Sequence, residues 1–200
     1  MNKVKIIWLL IVSAILLGVS AAYAQEPPVQ FGVKGGLNLS NFGGDMEDTK
    51  AVFKYQFGVT ADVAFTENIY LQTGLEFLTK GSKHKPETGT SIKYNPMYLQ
   101  LPVRVAYKFE IMPGTKLFIN AGPYVAYGIG GKIKGGDSKV DIFDDDRLKR
   151  FDYGIGGGVG VEFGKFTVSV GYDFGLANIS DVKGTKVRNQ NAFITLGYRF

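Results

Sequence analysis

The chain has 200 residues, a formal net charge of +5 and no cysteine. The missing cysteine excludes a disulfide scaffold, a thiolate metal centre and a lipid-bearing cysteine anchor. So mild a positive charge needs no nucleic-acid partner to explain it, and the length fits one domain or one small barrel.

The amino terminus reads as a secretory signal. Lys3 and Lys5 give a basic start, Ile6 to Val19 is an apolar run broken only by Ser13 and Gly18, and Ala22-Tyr23-Ala24 supplies small residues where a signal peptidase cuts. About 14 apolar residues are short for a spanning helix, which needs roughly 20. Cleavage after Ala24 is expected, removing residues 1–24 and leaving a single domain over 25–200. Losing Lys3 and Lys5 would take the net charge from +5 to +3.

Beyond Pro27-Pro28 no helical period of useful length occurs. Eight segments of period-two alternation follow instead: Val29–Ser40, Val52–Phe65, Ile69–Thr79, Tyr94–Phe109, Lys116–Gly131, Arg150–Phe163, Phe166–Ala177 and Asn191–Phe200. The connections alternate in length. Thr66-Glu67-Asn68, Glu110–Thr115 and Gly164-Lys165 are short, whereas Asn41–Ala51, Lys80–Lys93, Lys132–Lys149 and Asn178–Gln190 are long. An even strand number, with short turns at one end and long loops at the other, predicts an all-β chain folded as an eight-stranded antiparallel up-and-down transmembrane β-barrel. Segments of this length match a tilted membrane crossing. The last segment, with Ile194, Leu196, Tyr198 and Phe200 on one side, is expected to close the ring on the first, because an unpaired edge must be covered.

Within each segment one face is apolar, from Phe31, Val33, Leu37 and Leu39 in the first to Ala192 and its alternate neighbours in the last, with no Lys, Arg, Asp or Glu. The other face carries Lys34, Lys54, Asp62, Glu76, Arg104, Lys108, Asp152, Glu162, Asp173 and Arg199, together with many glycines. Alternation alone does not say which face is inside, and a soluble ligand-binding barrel would turn its apolar face inward. Three features favour the inverted arrangement. Aromatic residues gather at segment ends (Phe65, Phe109, Phe163, Phe166, Phe200), as an interfacial girdle requires. Glycines crowd the polar face, where a narrow lumen has little room. The five basic and five acidic residues balance, as ions in a confined lumen must.

Four stretches resemble a known family: Phe31-Gly32-Val33-Lys34-Gly35-Gly36-Leu37-Asn38-Leu39-Ser40-Asn41, Tyr98-Leu99-Gln100-Leu101-Pro102-Val103, Gly122-Pro123-Tyr124 and Leu196-Gly197-Tyr198-Arg199-Phe200. Together they are similar to the Bacteroidota outer-membrane β-barrel domain family, which includes PorT-like proteins. The resemblance implies an outer-membrane barrel, some relatives of which serve type IX secretion, and it supplies no catalytic residue to transfer.

The charged lumen set has two readings: a polar path for ions, or a plug of ion pairs that ties the strands together. The plug is preferred because eight strands leave a lumen just wide enough for side chains to fill. Asp62, Arg104, Lys108, Glu162 and Arg199 lie near the short-turn ends and are expected to cluster. His84, beside Ser82 and Glu87, offers a Ser/His pair for acyl hydrolysis, but nothing orients it, so a solvated loop histidine is the plainer reading. Asp141, Asp144, Asp145 and Asp146 offer oxygen ligands to a divalent cation, though without EF-hand spacing and with Lys139, Arg147, Lys149 and Arg150 alongside to neutralise them. The same basic residues, with Lys132 and Lys134, would meet lipopolysaccharide phosphates. Gly154, Gly156, Gly158 and Gly160 recur every second residue in a strand with no helix after it, which is not a phosphate loop. Pro102 and Pro123 each remove a ladder donor and are expected to mark local breaks.

The sequence thus predicts a non-enzymatic outer-membrane protein, structural or accessory and without a cofactor, and the PorT-like resemblance implies a secretion-related role. Its expected partners are membrane lipid and lipopolysaccharide, the barrel assembly machinery, and a secretion-system or surface partner. A narrow channel or small-ligand transporter is the alternative.

Overall fold

The computed structural model describes residues 29–46, 49–84, 91–135, 138–143, 148–182 and 184–200. The expected signal segment, Glu87 and Asp144–Asp146 lie outside these.

Eight long strands form one ring: β1 (Val29–Gly44), β2 (Val52–Ala64), β3 (Ile69–Thr79), β4 (Ile92–Met112), β5 (Thr115–Gly135), β6 (Phe151–Phe163), β7 (Phe166–Gly175) and β8 (Val187–Arg199). Each pairs antiparallel with its neighbours in sequence. β1 pairs with β8 from Gly32 opposite Arg199 to Gly44 opposite Val187, closing the ring. One further backbone bond, from the Phe200 N–H to the Phe31 carbonyl at 2.9 Å, continues that seam.

The short turns follow from local chemistry. Gly114 and Gly164 take positive φ in two-residue hairpin turns, a conformation costly for other L-residues. At the β2–β3 turn the Thr66 hydroxyl accepts the Ile69 N–H at 3.0 Å. At the opposite end β4 and β5 run 21 residues each, further than the alternation alone suggested, and rise above the rim. Three short strands extend this raised sheet: Thr49–Lys50 and Lys83–His84 beside β4, and Ser138–Asp141 beside β5.

The apolar face points outward in all eight strands. Phe53 is 80% exposed, and Phe31, Val59, Val105, Ile155, Val170, Ile194 and Leu196 are likewise open on the outer wall. A soluble protein does not display so continuous an apolar belt, whereas lipid accepts it. The inward face holds the polar residues and glycines. Beneath the outer surface Gly122 lies so close to the Val103 carbonyl of β4 that a Cβ would overlap it. The prolines interrupt the ladders as expected. No β3–β4 pairing occurs between Thr73–Val103 and Glu76–Gln100, beside Pro102. None occurs on β4–β5 between Pro102–Tyr124 and Val105–Ala121, beside Pro123. The Thr73 hydroxyl partly repairs the first gap by donating to the Pro102 carbonyl at 2.8 Å.

Candidate functional site

The lumen is where chemistry-bearing side chains converge, and they form layers from the short-turn end upward. Lowest, Lys108 sits between Asp62 and Glu162, its ammonium 2.5 Å from each carboxylate. Arg199 reaches the second Glu162 oxygen at 2.9 Å and donates to Gln30 at 3.0 Å. Lys108 is 1% exposed and packs over the Tyr70 ring, so the charge is removed from water and satisfied by two anions and a π-face.

In the middle layer Lys34 pairs with Glu76 at 2.6 Å and Arg104 with Asp173 at 2.6 Å. Gln100 donates to the other Asp173 oxygen at 3.1 Å, and Phe193 lies under the Arg104 guanidinium. Gly156 makes room for this contact, since a Cβ there would overlap the Asp173 carboxylate. Asn120 donates to Gln72 at 2.6 Å and Gln72 to Asp62 at 3.1 Å, which extends the lowest layer across the lumen. A cavity of about 80 Å³ lies between Lys34, Asp62, Glu76, Arg104, Glu162 and Arg199. A space of that size between charged side chains suits several waters, each with polar partners at hand.

The upper layer is an ion pair that sequence reasoning missed. Lys80, expected in a long loop, is fully buried and meets Asp152 at 3.0 Å. Asn189 donates to the same Asp152 oxygen at 2.9 Å, and the Tyr98 and Tyr124 rings flank the Lys80 ammonium at 5.2 and 4.7 Å. Above it the lumen turns apolar. Phe42, Leu78, Tyr98, Tyr124 and Ala126 of the strands pack against Ile142, Phe143, Leu148, Ala177 and Ile179 from the long loops. Phe143 descends onto Gly128, where a Cβ would overlap its ring, and meets Tyr98 edge-on. The long-loop end is therefore stoppered by a small hydrophobic core of its own.

Three expectations need correction. Arg104 does not join Asp62, Lys108, Glu162 and Arg199; its side chain points up and across to Asp173. Lys54 faces no carboxylate among the described residues and donates instead to the Asn95 side chain at the rim. Lys80 belongs to the lumen rather than to a loop, because it continues the inward parity of Glu76 and Leu78 past the end of β3.

The remaining candidates are dispersed. His84 sits in a short strand opposite Thr49, and no hydrogen bond links it to Ser82. Asp141 stands opposite Lys132 and accepts the Phe143 N–H at 2.9 Å, which shapes the turn that lowers Phe143. Among the described residues no group of acidic or histidine side chains is arranged to hold a metal ion.

No curated protein sequence matches the chain. Among solved structures it is similar to Neisserial surface protein A (NspA), at 12% identity and a TM-score of 0.51, over 85% of this chain and 97% of that one. Ail of Yersinia pestis, in complex with the heparin analogue sucrose octasulfate, shares 13% identity with a TM-score of 0.46, over 86% and 99% of the two chains. OprG from Pseudomonas aeruginosa shares 13% identity with a TM-score of 0.41, over 86% and 95%. At such identity the NspA likeness speaks to the barrel fold and to nothing finer. A family profile described as outer membrane protein beta-barrel domain matches residues 23–181. With its closed eight-strand ring and lipid-facing belt, this chain belongs to the outer membrane protein beta-barrel domain family.

Proposed function

We propose that the protein is a closed, non-enzymatic barrel that serves the outer membrane as a structural or accessory component. The observation that carries this reading is the filling of the lumen at successive heights. Ion-paired layers occupy the lower and middle parts, the Lys80–Asp152 pair lies above them, and loop residues Ile142, Phe143 and Ile179 cover the top. A hydrated ion would have to break buried charge pairs and then cross an apolar stopper, each step costing several kcal/mol. No cluster of nucleophile, base and orienting group accompanies this filling among the described residues.

With the interior occupied by its own side chains, the surfaces left for work are the outer wall, the raised sheet and the short turns. A place beside a secretion apparatus, of the kind that the resemblance to PorT-like proteins suggests, fits a protein that acts through these surfaces. The charged amino-terminal start and the Ala22-Tyr23-Ala24 stretch support export with removal of the first 24 residues. The test is to extract the protein from outer membranes, check by intact mass that it begins at Gln25, and insert it into planar bilayers. No stepwise conductance is expected, and reproducible single-channel steps would establish the narrow-channel reading instead.

A further inference from the structure

The raised sheet carries a feature that register alone reveals. Lys50 stands directly opposite Lys83, Lys83 opposite Lys93, Lys93 opposite Lys134 and Lys134 opposite Lys139. Residues directly opposed across antiparallel strands share a face, so five lysines from five adjacent strands form one row. With strands about 4.8 Å apart the row is roughly 19 Å long. The opposite face bears Tyr94 opposite Ile133 and Ile133 opposite Val140, and Tyr94 and Ile133 pack on the buried cluster. The lysines therefore point away from the hydrophobic stopper. Lys50, Lys93, Lys134 and Lys139 are exposed, and among the described residues none of the five ammonium groups meets a carboxylate. Lys132 and Asn95 lie on the lysine face in the next row, where Asp141 opposite Lys132 is the one acid among the described residues.

Like charges directly opposite one another destabilise a sheet, and here the arrangement is repeated across four strand pairs. A polyanion laid along the row would offset that cost. Height identifies the polyanion. Ile129 is the last outward apolar residue of β5, and Lys134 lies five residues beyond it. At about 3.3 Å per residue and a tilt near 40°, the row stands roughly 13 Å above the apolar belt. That height is above the acyl chains and within the sugar layer of the outer leaflet. We propose that the lysine row binds the phosphorylated saccharide of the lipopolysaccharide surrounding the barrel, with successive anionic groups bridging neighbouring ammonium groups. This does not depend on whether the lumen conducts.

The test uses the full mature chain folded in zwitterionic detergent. Its binding to lipopolysaccharide with a phosphorylated core is titrated against the same lipopolysaccharide after enzymatic dephosphorylation and against soluble heparin. Lys93→Gln with Lys134→Gln should weaken binding of the phosphorylated form about tenfold or more at low ionic strength and flatten its salt dependence. Lys50→Gln with Lys83→Gln, at the other end of the row, should weaken it too. Lys116→Gln with Lys165→Gln removes the same charge from the short-turn end and should leave it unchanged. Heat-modifiable gel migration certifies that each variant is folded. Unchanged affinity in both row variants, an equal loss in the short-turn variant, or equal binding of dephosphorylated lipopolysaccharide would each overturn the proposal. Binding of heparin without binding of lipopolysaccharide would overturn the assigned source.

Discussion

Lys108 shows how a single lumen side chain is held. It is the only cation in contact with Asp62 among the described residues and shares Glu162 with Arg199. Lys108→Ala would strand one buried carboxylate and weaken the hold on a second. Removing one partner from a buried pair costs about 3–5 kcal/mol. Urea unfolding in lipid vesicles should show a loss of that order, with a smaller loss for Lys34→Ala, whose ammonium is partly open to solvent. At this scale the sequence was informative about which face a charge occupies, because parity decides that. It was uninformative about partners. Arg104 is separated from Asp173 by the width of the lumen, and which anion it reaches depends on side-chain length and strand stagger rather than on spacing along the chain. Lys80 was legible in principle, since it keeps the parity of Glu76 and Leu78, although the expected segment ended at Thr79.

Among the elements, β8 illustrates the division of labour between faces. Ile194 and Leu196 meet lipid, while Asn191 and Thr195 between and beside them are buried in the lumen. Placing a cation on the lipid face near mid-depth costs about 2–4 kcal/mol, falling toward the interfaces. Ile194→Arg should therefore destabilise the folded barrel in vesicles by that amount, and an arginine in place of the terminal-side Tyr198 by clearly less, as equilibrium denaturation can establish. Strand number, the turns and the outward face were all readable from alternation, because lipid and lumen impose opposite demands on successive residues. The upper extensions of β4 and β5 were not. A shift of pairing register between Met97 and Tyr98 changes the parity there, and the short strands beside them are too brief for a period to be seen. Lys134 and Lys139 were readable as lipopolysaccharide-facing residues, but their alignment with Lys50, Lys83 and Lys93 was not, because only cross-strand pairing brings those stretches together.

Taken whole, the molecule is a tube with a polar filling and an apolar stopper, and the stopper was the least legible part. Ile142 and Phe143 sit among aspartates, and only their bulk hinted that such a pair needs burial. Gly128→Val tests how far the stopper governs closure. A valine suits the strand but occupies the space of the Phe143 ring. The loop between β5 and β6 should then be cut faster in limited proteolysis, yet bilayers should still show no conductance, because the Lys80–Asp152 and Arg104–Asp173 layers remain. Conductance in this variant would mean that the loops alone keep the tube shut.

The seam between β1 and β8 carries a consequence for biogenesis. Every other seam joins consecutive strands, so those hairpins can form in any order. Val29–Gly44 finds its second neighbour only when Val187–Arg199 is in place. Until then the nascent sheet has two raw borders, each able to recruit a passing strand from another copy. The pairing of Val187–Arg199 with Val29–Gly44 removes both borders in one step, so the tube gains its last ladder and loses its stickiness together.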